Sequence, residues 1–216
     1  HRILCAADYG DPTTRRRLFV QAVRGRGRIH WPTPTHAPDS NLFGLPRWRS
    51  AEEIIDWSIP IQTLANRTRP LAPKTLARIK EGLKKYGGQP FVVAMEHGGR
   101  TVDAKQPLPT VTCARGGAMG IALVVEYYGN GQARPVTDPL PTVTCNDRFA
   151  LVEFRENKIG FRMLQPKELA AAQGFPTTYK FTGTKTEQVR QIGNAVPCGF
   201  ARALVGKALE SFVQCY

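Results

Sequence analysis

The sequence predicts a mixed α/β chain with a separate compositional unit in its middle. Three observations lead there. Segments with helix start and stop signals gather between residues 166 and 212. Short apolar, strand-like runs occur near the start and again between residues 91 and 154. Residues 35–158 form a separate compositional stretch with its own helix, strands and an internal repeat. An apolar content of 42% is enough for a packed core.

The chain opens on an apolar run, Ile3-Leu4-Cys5-Ala6-Ala7, which gives way to the turn-forming Asp8-Tyr9-Gly10-Asp11-Pro12. Thr13-Thr14-Arg15-Arg16-Arg17 follows, and Leu18-Phe19-Val20-Gln21-Ala22-Val23 reads as a buried strand. Alternate side chains of a strand share a face, so Arg15 and Arg17 are expected to point the same way. Two guanidinium forks on one face make a clamp for phosphate or for a carbonyl oxygen; a solvated charge run is the plain alternative. Arg24, Arg26 and Arg28 alternate with Gly25 and Gly27, a flexible basic link leading to Trp31-Pro32-Thr33-Pro34 and out of the first region. A phosphate-contacting role for this link is a second reading.

In the middle region, Ser50-Ala51-Glu52-Glu53 fits a capping box for a short helix carrying Ile54, Ile55 and Trp57. Pro73 opens a clearer helix, with Leu76, Ile79 and Leu83 inward and Arg78, Lys80, Lys84 and Lys85 outward, stopped by Gly87-Gly88. Strands are expected at Phe91 to Met95, Ile121 to Tyr128 and Ala150 to Phe154. Pro107-Leu108-Pro109-Thr110-Val111-Thr112-Cys113 recurs as Pro139-Leu140-Pro141-Thr142-Val143-Thr144-Cys145. Each copy carries the alternation of a half-buried strand and is followed by a polar loop and an Ala-Leu-Val strand. Each loop offers one arginine among small or turn-forming residues, Arg115 and Arg148. Arginine on such a loop can reach a base edge, where its pairing with guanine is the commonest specific contact; two solvated loop tips are the alternative.

Near the end, Pro166 suits a first helical position and Gly174 a left-handed helix stop. Thr184-Lys185-Thr186-Glu187 fits a capping box. Gly193-Asn194 reads as a tight turn, since both residues tolerate positive φ. Pro197 then opens a last helix with Phe200, Leu204, Ala208 and Phe212 on one face.

A net charge of +13 and a pI near 9.9 point to a polyanionic partner, nucleic acid first and acidic membrane second, against the alternative of a basic but inert surface. No apolar run approaches the roughly 20 residues of a membrane span, and the chain does not open with a signal-peptide pattern. Five scattered cysteines without C-x-x-C spacing argue against a disulfide framework and for a reducing interior. With four histidines and no His-Cys cluster, no metal site is expected.

Arg162-Met163-Leu164-Gln165-Pro166-Lys167-Glu168, then Gln173-Gly174-Phe175-Pro176, then Gln191-Ile192-Gly193-Asn194-Ala195-Val196-Pro197 resemble, in this order and spacing, the closing motifs of DNA cytosine-5 methyltransferases. Asp8-Tyr9-Gly10 followed by Pro12 and the Arg15/Arg17 pair is similar to the eighth motif of that family. The resemblance implies a fold of α/β class: a partial Rossmann-like methyltransferase domain, its last strand and closing helices, with an inserted α+β target-recognition domain. It implies residues 1–34 as the end of the catalytic domain, 35–158 as the recognition domain and 159–216 as helices returning to the catalytic domain. Arg15 and Arg17 would help hold the flipped cytosine; Gln191, Gly193, Asn194 and Ala195 would form part of the S-adenosyl-L-methionine and target wall; Arg16, Arg115 and Arg148 would contact duplex DNA. Arg162 and Glu168 would brace the recognition domain. Thr13 stands where the family usually has Gln, which puts one hydrogen bond in doubt.

Such an enzyme attacks C6 of an extruded cytosine with a cysteine nucleophile and uses a glutamate near N3. The family's Pro-Cys, Glu-Asn-Val and Phe-x-Gly-x-Gly motifs lie upstream of the arginine motif, with which this sequence begins. Pro197-Cys198 and Glu96-His97 are decoys, and Cys198 is expected to be structural. The expectation is therefore the C-terminal part of a methyltransferase, silent alone, working with an N-terminal half in a bacterial or phage-encoded, cytoplasmic setting, with an exposed sheet edge that invites self-association. The competing readings are a non-enzymatic, sequence-specific DNA-binding module and a basic protein of a ribonucleoprotein particle.

Overall fold

A computed structural model describes residues 1–24, 28–38, 44–85, 93–95, 121–126, 132–146, 149–155 and 158–213. Its chain forms two compact units. The first comprises His1–Asp56, Thr137–Asp147 and Leu164–Tyr216; the second comprises Trp57–Val136 and Arg148–Met163.

In the first unit β1 (Arg2–Cys5) runs antiparallel to β2 (Arg16–Phe19), with Ile3 opposite Leu18 and Leu4 opposite Arg17. Directly opposed residues share a face. On one face Leu4 and Phe19 pack with Ala6, Tyr9 and Phe200, the last stacked on Tyr9 at 5.2 Å and edge-on to Phe19 at 4.7 Å. On the other, Ile3 and Leu18 are about three-fifths exposed. Leu18 to Val23, expected as a buried strand, is therefore corrected. The strand ends at Phe19, and Val20 is 74% exposed. A two-stranded sheet covered on one side cannot bury both of its faces.

Phe200 belongs to α4 (Cys198–Val213), which Pro197 precedes as the sequence predicts. A residue from far away caps this helix. The buried Asp11 carboxylate accepts the Gly199 and Phe200 N–H groups at 3.0 and 2.9 Å, satisfying donors that lack intrahelical partners. Gly174 has φ +73°, the left-handed stop expected after α2 (Pro166–Ala172), and a Cβ there would overlap Asp11. α2 also starts as expected, at Pro166. Glu168, buried in its first turn, accepts the Gln165 N–H at 2.6 Å and the Asp56 N–H at 2.9 Å. α3 (Lys185–Asn194) carries the predicted Thr184–Glu187 capping box.

Residues 35–56 and 137–147 fall in this compact unit, whose bounds differ from 34/35 and 158/159. The reason is specific pairing. Thr35 and His36 donate main-chain N–H bonds to the Asp8 carbonyl, Trp48 Nε1 donates to Asp8 Oδ1 at 3.0 Å, and Ala51 N–H donates to Asp138 O at 2.7 Å. The Ser50–Glu53 box caps a single 3-10 turn, Ala51–Ile54, which buries Ile54 and Ile55 and leaves Trp57 beyond it 46% exposed.

The second unit is a six-stranded sheet with α1 (Pro73–Lys85). Its strands are β3 (Gln62–Thr63), β4 (Val93–Met95), β5 (Ile121–Glu126), β6 (Gln132–Pro135), β7 (Phe149–Arg155) and β8 (Lys158–Met163), in the order β3-β8-β7-β5-β4-β6. Only the β4–β5 pairing is parallel among the described strands. β8 takes Arg162 and Met163, which the sequence reading joins to the closing helices. Ile159, Phe161 and Met163 alternate along it, and they form or flank a core with Ala150, Val152, Leu71 and Ile79. α1 begins at Pro73 and turns Ile79 and Leu83 inward as expected; Leu76 is instead 38% exposed. The Gly87-Gly88 stop and the first repeat copy lie outside the described residues. No described helix is long and apolar enough to cross a membrane.

Burial pushes the Asp11 carboxyl up to about 6 from 3.8, against the two N–H donors that favour its charge. A raised folded value means that the stability linked to protonation is complete below pH 3.8 and is lost as pH rises through about 6. Urea titrations at pH 4 and pH 7 are expected to show this slope, and Asp11→Asn to flatten it. Asp11→Ala should cost about 1–2 kcal/mol by uncapping α4.

Candidate functional site

The predicted site residues of the first unit converge where three distant segments meet. Pro12 to Thr14 lies along Leu140-Pro141 of the second repeat copy. The Thr14 N–H donates to Leu140 O at 2.7 Å, the Leu140 N–H donates to Pro12 O at 3.0 Å, and Thr13 Oγ1 donates to Pro141 O at 2.9 Å. Thr13, the departure from the family's Gln, thus makes a bond of its own. This short ladder directs the next residue, Arg15, inward.

Arg15 is 3% exposed. Its Nη1 donates to the Val143 carbonyl and its Nη2 to the Gly193 carbonyl at 2.6 Å. Gly193 O lies in the last turn of α3, where carbonyls have no intrahelical partner and the helix dipole favours a cation. The neighbouring Ile192 carbonyl accepts from the buried Gln173 Nε2 at 3.0 Å. Burial pulls the Arg15 guanidinium down to about 10, the nearby Arg17 charge adds to this, and the Cys145 thiol opposes it; Arg15 stays charged at neutral pH.

Arg17 sits differently. It is exposed on β2, and its Nη1 donates to the Arg16 carbonyl at 2.9 Å. The two arginines therefore do not form a symmetric clamp. One is engaged with main-chain carbonyls, and the other has further donors without a partner among the described residues. Arg16 is also exposed. Arg115 and Arg148 lie outside the described residues.

The Gly193-Asn194 pair is not the expected positive-φ turn. Both residues end α3, and Gly193 is absent from the positive-φ glycines. Its missing side chain serves close approach: a Cβ would overlap the Thr144 carbonyl and the Cys145 nitrogen of the repeat copy. Cys145 Sγ donates to Asn194 Oδ1 at 2.8 Å. The exposed Asn194 amide keeps its N–H donors without a partner among the described residues. Gln191 Nε2 is engaged with Thr182 O at 3.0 Å, and Ala195 is half-buried. Cys198 donates its N–H to Gln173 O, and its thiol is held above the usual range by burial and then by the Asp11 charge, with Arg202 opposing. The sequence reading missed Asp11, Val143, Cys145 and Gln173 as site residues. The repeat contains Val143 and Cys145 but reads as a half-buried strand leading to a polar loop, and nothing local marks Asp11.

The sign of one substitution tests the packing at Gly193. In an open helical position, alanine is about 1 kcal/mol better than glycine. Against the Thr144–Cys145 backbone, Gly193→Ala should instead destabilise by about 1–3 kcal/mol, read as a lower urea midpoint.

Residues 1–210 match the model of the C-5 cytosine-specific DNA methylase family. The chain is 27% identical over 228 aligned residues to the type II methyltransferase M.SacI of Streptomyces achromogenes, covering 97% of this chain and 51% of that protein. It is 23% identical over 214 residues to the type II methyltransferase M1.HphI of Haemophilus parahaemolyticus, covering 97% of this chain and 47% of that protein. A stretch of 53 residues is 56% identical to the type II methyltransferase M.Bpa9945I of Bacillus paralicheniformis, covering 24% of this chain and 12% of that protein. The chain thus spans about half the length of the first two relatives. With nearly its whole length matched, and the arginine motif meeting the Gln191–Ala195 segment in one buried junction, this chain belongs to the C-5 cytosine-specific DNA methylase family.

Proposed function

We propose that this chain is the C-terminal part of a DNA cytosine-5 methyltransferase, which transfers a methyl group from S-adenosyl-L-methionine to C5 of cytosine in a specific duplex DNA sequence. The observation that carries the proposal is the junction at Arg15, where the arginine motif and the end of α3 are hydrogen-bonded within a chain matched to the family over residues 1–210. The family uses S-adenosyl-L-methionine, which supplies the electrophilic methyl group. The residues present fit one edge of a site for it. Asn194 offers uncommitted amide donors beside the half-buried Ala195, whereas Gln191 is engaged with Thr182 and Gly193 is covered by the repeat copy.

On this reading Arg17, with its exposed guanidinium, holds the extruded cytosine. The second unit is the target-recognition domain, with Arg115 and Arg148 reading bases and Arg16 contacting the backbone; the +13 charge supplies attraction to phosphate. The nucleophilic cysteine and the glutamate come from the remainder of the catalytic domain. This chain alone is then inactive, and the work takes place in the cytoplasm of a bacterium or a phage-infected cell. The uncovered apolar face at Ile3, Leu18 and Val20 is where that remainder seats, and it is also where copies of the chain would associate when the remainder is absent.

The test mixes this chain with a separately expressed N-terminal half carrying the Pro-Cys and Phe-x-Gly-x-Gly motifs and follows labelled methyl transfer to duplex DNA. Transfer only in the mixture is expected. Sequence-selective DNA binding by this chain with no transfer in the mixture would favour the non-enzymatic module. Leu18→Asp is expected to cut transfer by the mixture at least about tenfold through lost apolar contact, while leaving the thermal midpoint of this chain alone within about 1 °C, as for a surface substitution.

A further inference from the structure

We infer that Arg15 is a positioning residue, which fastens the Pro139–Cys145 strap to the end of α3 and thereby sets the Asn194 amide, and that it does not touch the target cytosine. The inference rests on the methyltransferase reading above and assigns Arg15 a role different from that of its neighbour Arg17.

The geometry leaves Arg15 little to offer a substrate. It is 3% exposed, and both terminal nitrogens are engaged with main-chain carbonyls, one on the strap and one on α3. A planar fork meets two acceptors in fixed positions with two separate nitrogens, whereas an ammonium presents its donors from a single point. The bridge then continues. With the strap held at Val143, the next two residues lie against Gly193, which has no side chain to keep them off, and Cys145 Sγ reaches Asn194 Oδ1 at 2.8 Å. A carbonyl oxygen that accepts this bond fixes which way the amide turns, and so where its N–H donors lie. The path from Arg15 to Asn194 thus runs through two contacts, Val143 and Cys145, and directly through the α3 terminus at Gly193.

Connectivity adds a second consequence. The strap is an excursion of eleven residues, Thr137–Asp147, and the chain on either side of it belongs to the second unit. Both ends of the strap therefore continue into the unit read here as the recognition domain, with Arg148 immediately after it. Arg15 clamps a stretch of the first unit whose two ends both lead into this domain, in addition to the crossings at 56/57 and 163/164. Displacement of the strap would move Asn194, so DNA engagement in the recognition domain has a route to the cofactor edge that is covalent as far as Cys145 and a hydrogen bond from there to Asn194.

The experiment uses the enzyme assembled from this chain and its catalytic half, with Arg15→Gln, Arg15→Lys, Asn194→Ala, the Arg15→Gln/Asn194→Ala pair and Arg17→Gln. Loss of one bridging bond is expected to weaken equilibrium binding of S-adenosyl-L-methionine, read by calorimetry without DNA, about tenfold in both Arg15 variants and to raise its KM alike, with kcat at saturating cofactor within about threefold of wild type. Asn194→Ala should raise the same KM, and the pair should be no worse than the worse single variant, because both act on one amide. Arg17→Gln should leave that KM unchanged and lower kcat. Arg15→Lys keeps the charge and one carbonyl bond, and it carries the test if Arg15→Gln does not fold. Arg15 variants with a wild-type cofactor KM and a kcat as low as that of Arg17→Gln would overturn the inference and make Arg15 a substrate contact. An assembly of wild-type halves that transfers no methyl would instead overturn the methyltransferase reading itself.

Discussion

The guanidinium of Arg15 joins segments that lie 128 and 178 residues away in the chain. A buried charge is costly unless strong acceptors replace water. Here the described acceptors are main-chain carbonyls, and one of them sits at the negative end of a helix dipole. That choice decides the charge at the junction. A carboxylate partner would neutralise the arginine, whereas carbonyl partners leave its positive charge in place. The exposed Arg17 lies two residues on, close enough in space for its charge to weigh on Arg15.

A second joint works by the same logic with the sign reversed. Asp11 is buried four residues before Arg15, and its carboxylate meets the positive end of α4. Within one short turn the chain places an acid on a helix start and a base on a helix end. Both helix termini have unsatisfied main-chain groups, so each contact removes a desolvation penalty as well as adding an electrostatic one. Glycines make both joints possible, since Gly174 gives way to Asp11 and Gly193 to the strap. The first turn is thereby locked to the closing helices, and the Gln173 to Pro197 motifs are held against the arginine motif.

The second unit is built on different principles. Its core is an α1 face pressed on one side of the β7–β8 pair, with Ile79, Val152 and Phe161 at the centre. Its chain is interrupted by the strap, so the two units share a connection that is itself part of the Arg15 joint. A segment placed this way is restrained at Leu140, Val143 and Cys145 by the first unit and covalently tied to the second at both ends.

The sequence by itself determined what is local. The capping boxes at Ser50 and Thr184, the Pro166 and Pro73 helix starts and the Gly174 stop all depend on residues within four positions of one another, and all are present. The order of the closing motifs was enough to identify the family, because a motif needs only its own residues to be read. The β8 strand was also legible in the alternation of Ile159, Phe161 and Met163, but proximity to the helical motif masked it. Only the tertiary structure decided that Gly193 is a point of close approach rather than a turn. It likewise decided that Arg15 is buried while Arg17 is not, that Leu18 is exposed, and that residues 137–147 belong with the arginine motif. Each of these outcomes depends on which distant backbone lies opposite a residue. Hydrophobic pattern and turn chemistry carry no record of that, because the contact energies involved exist only once the segments have been brought together.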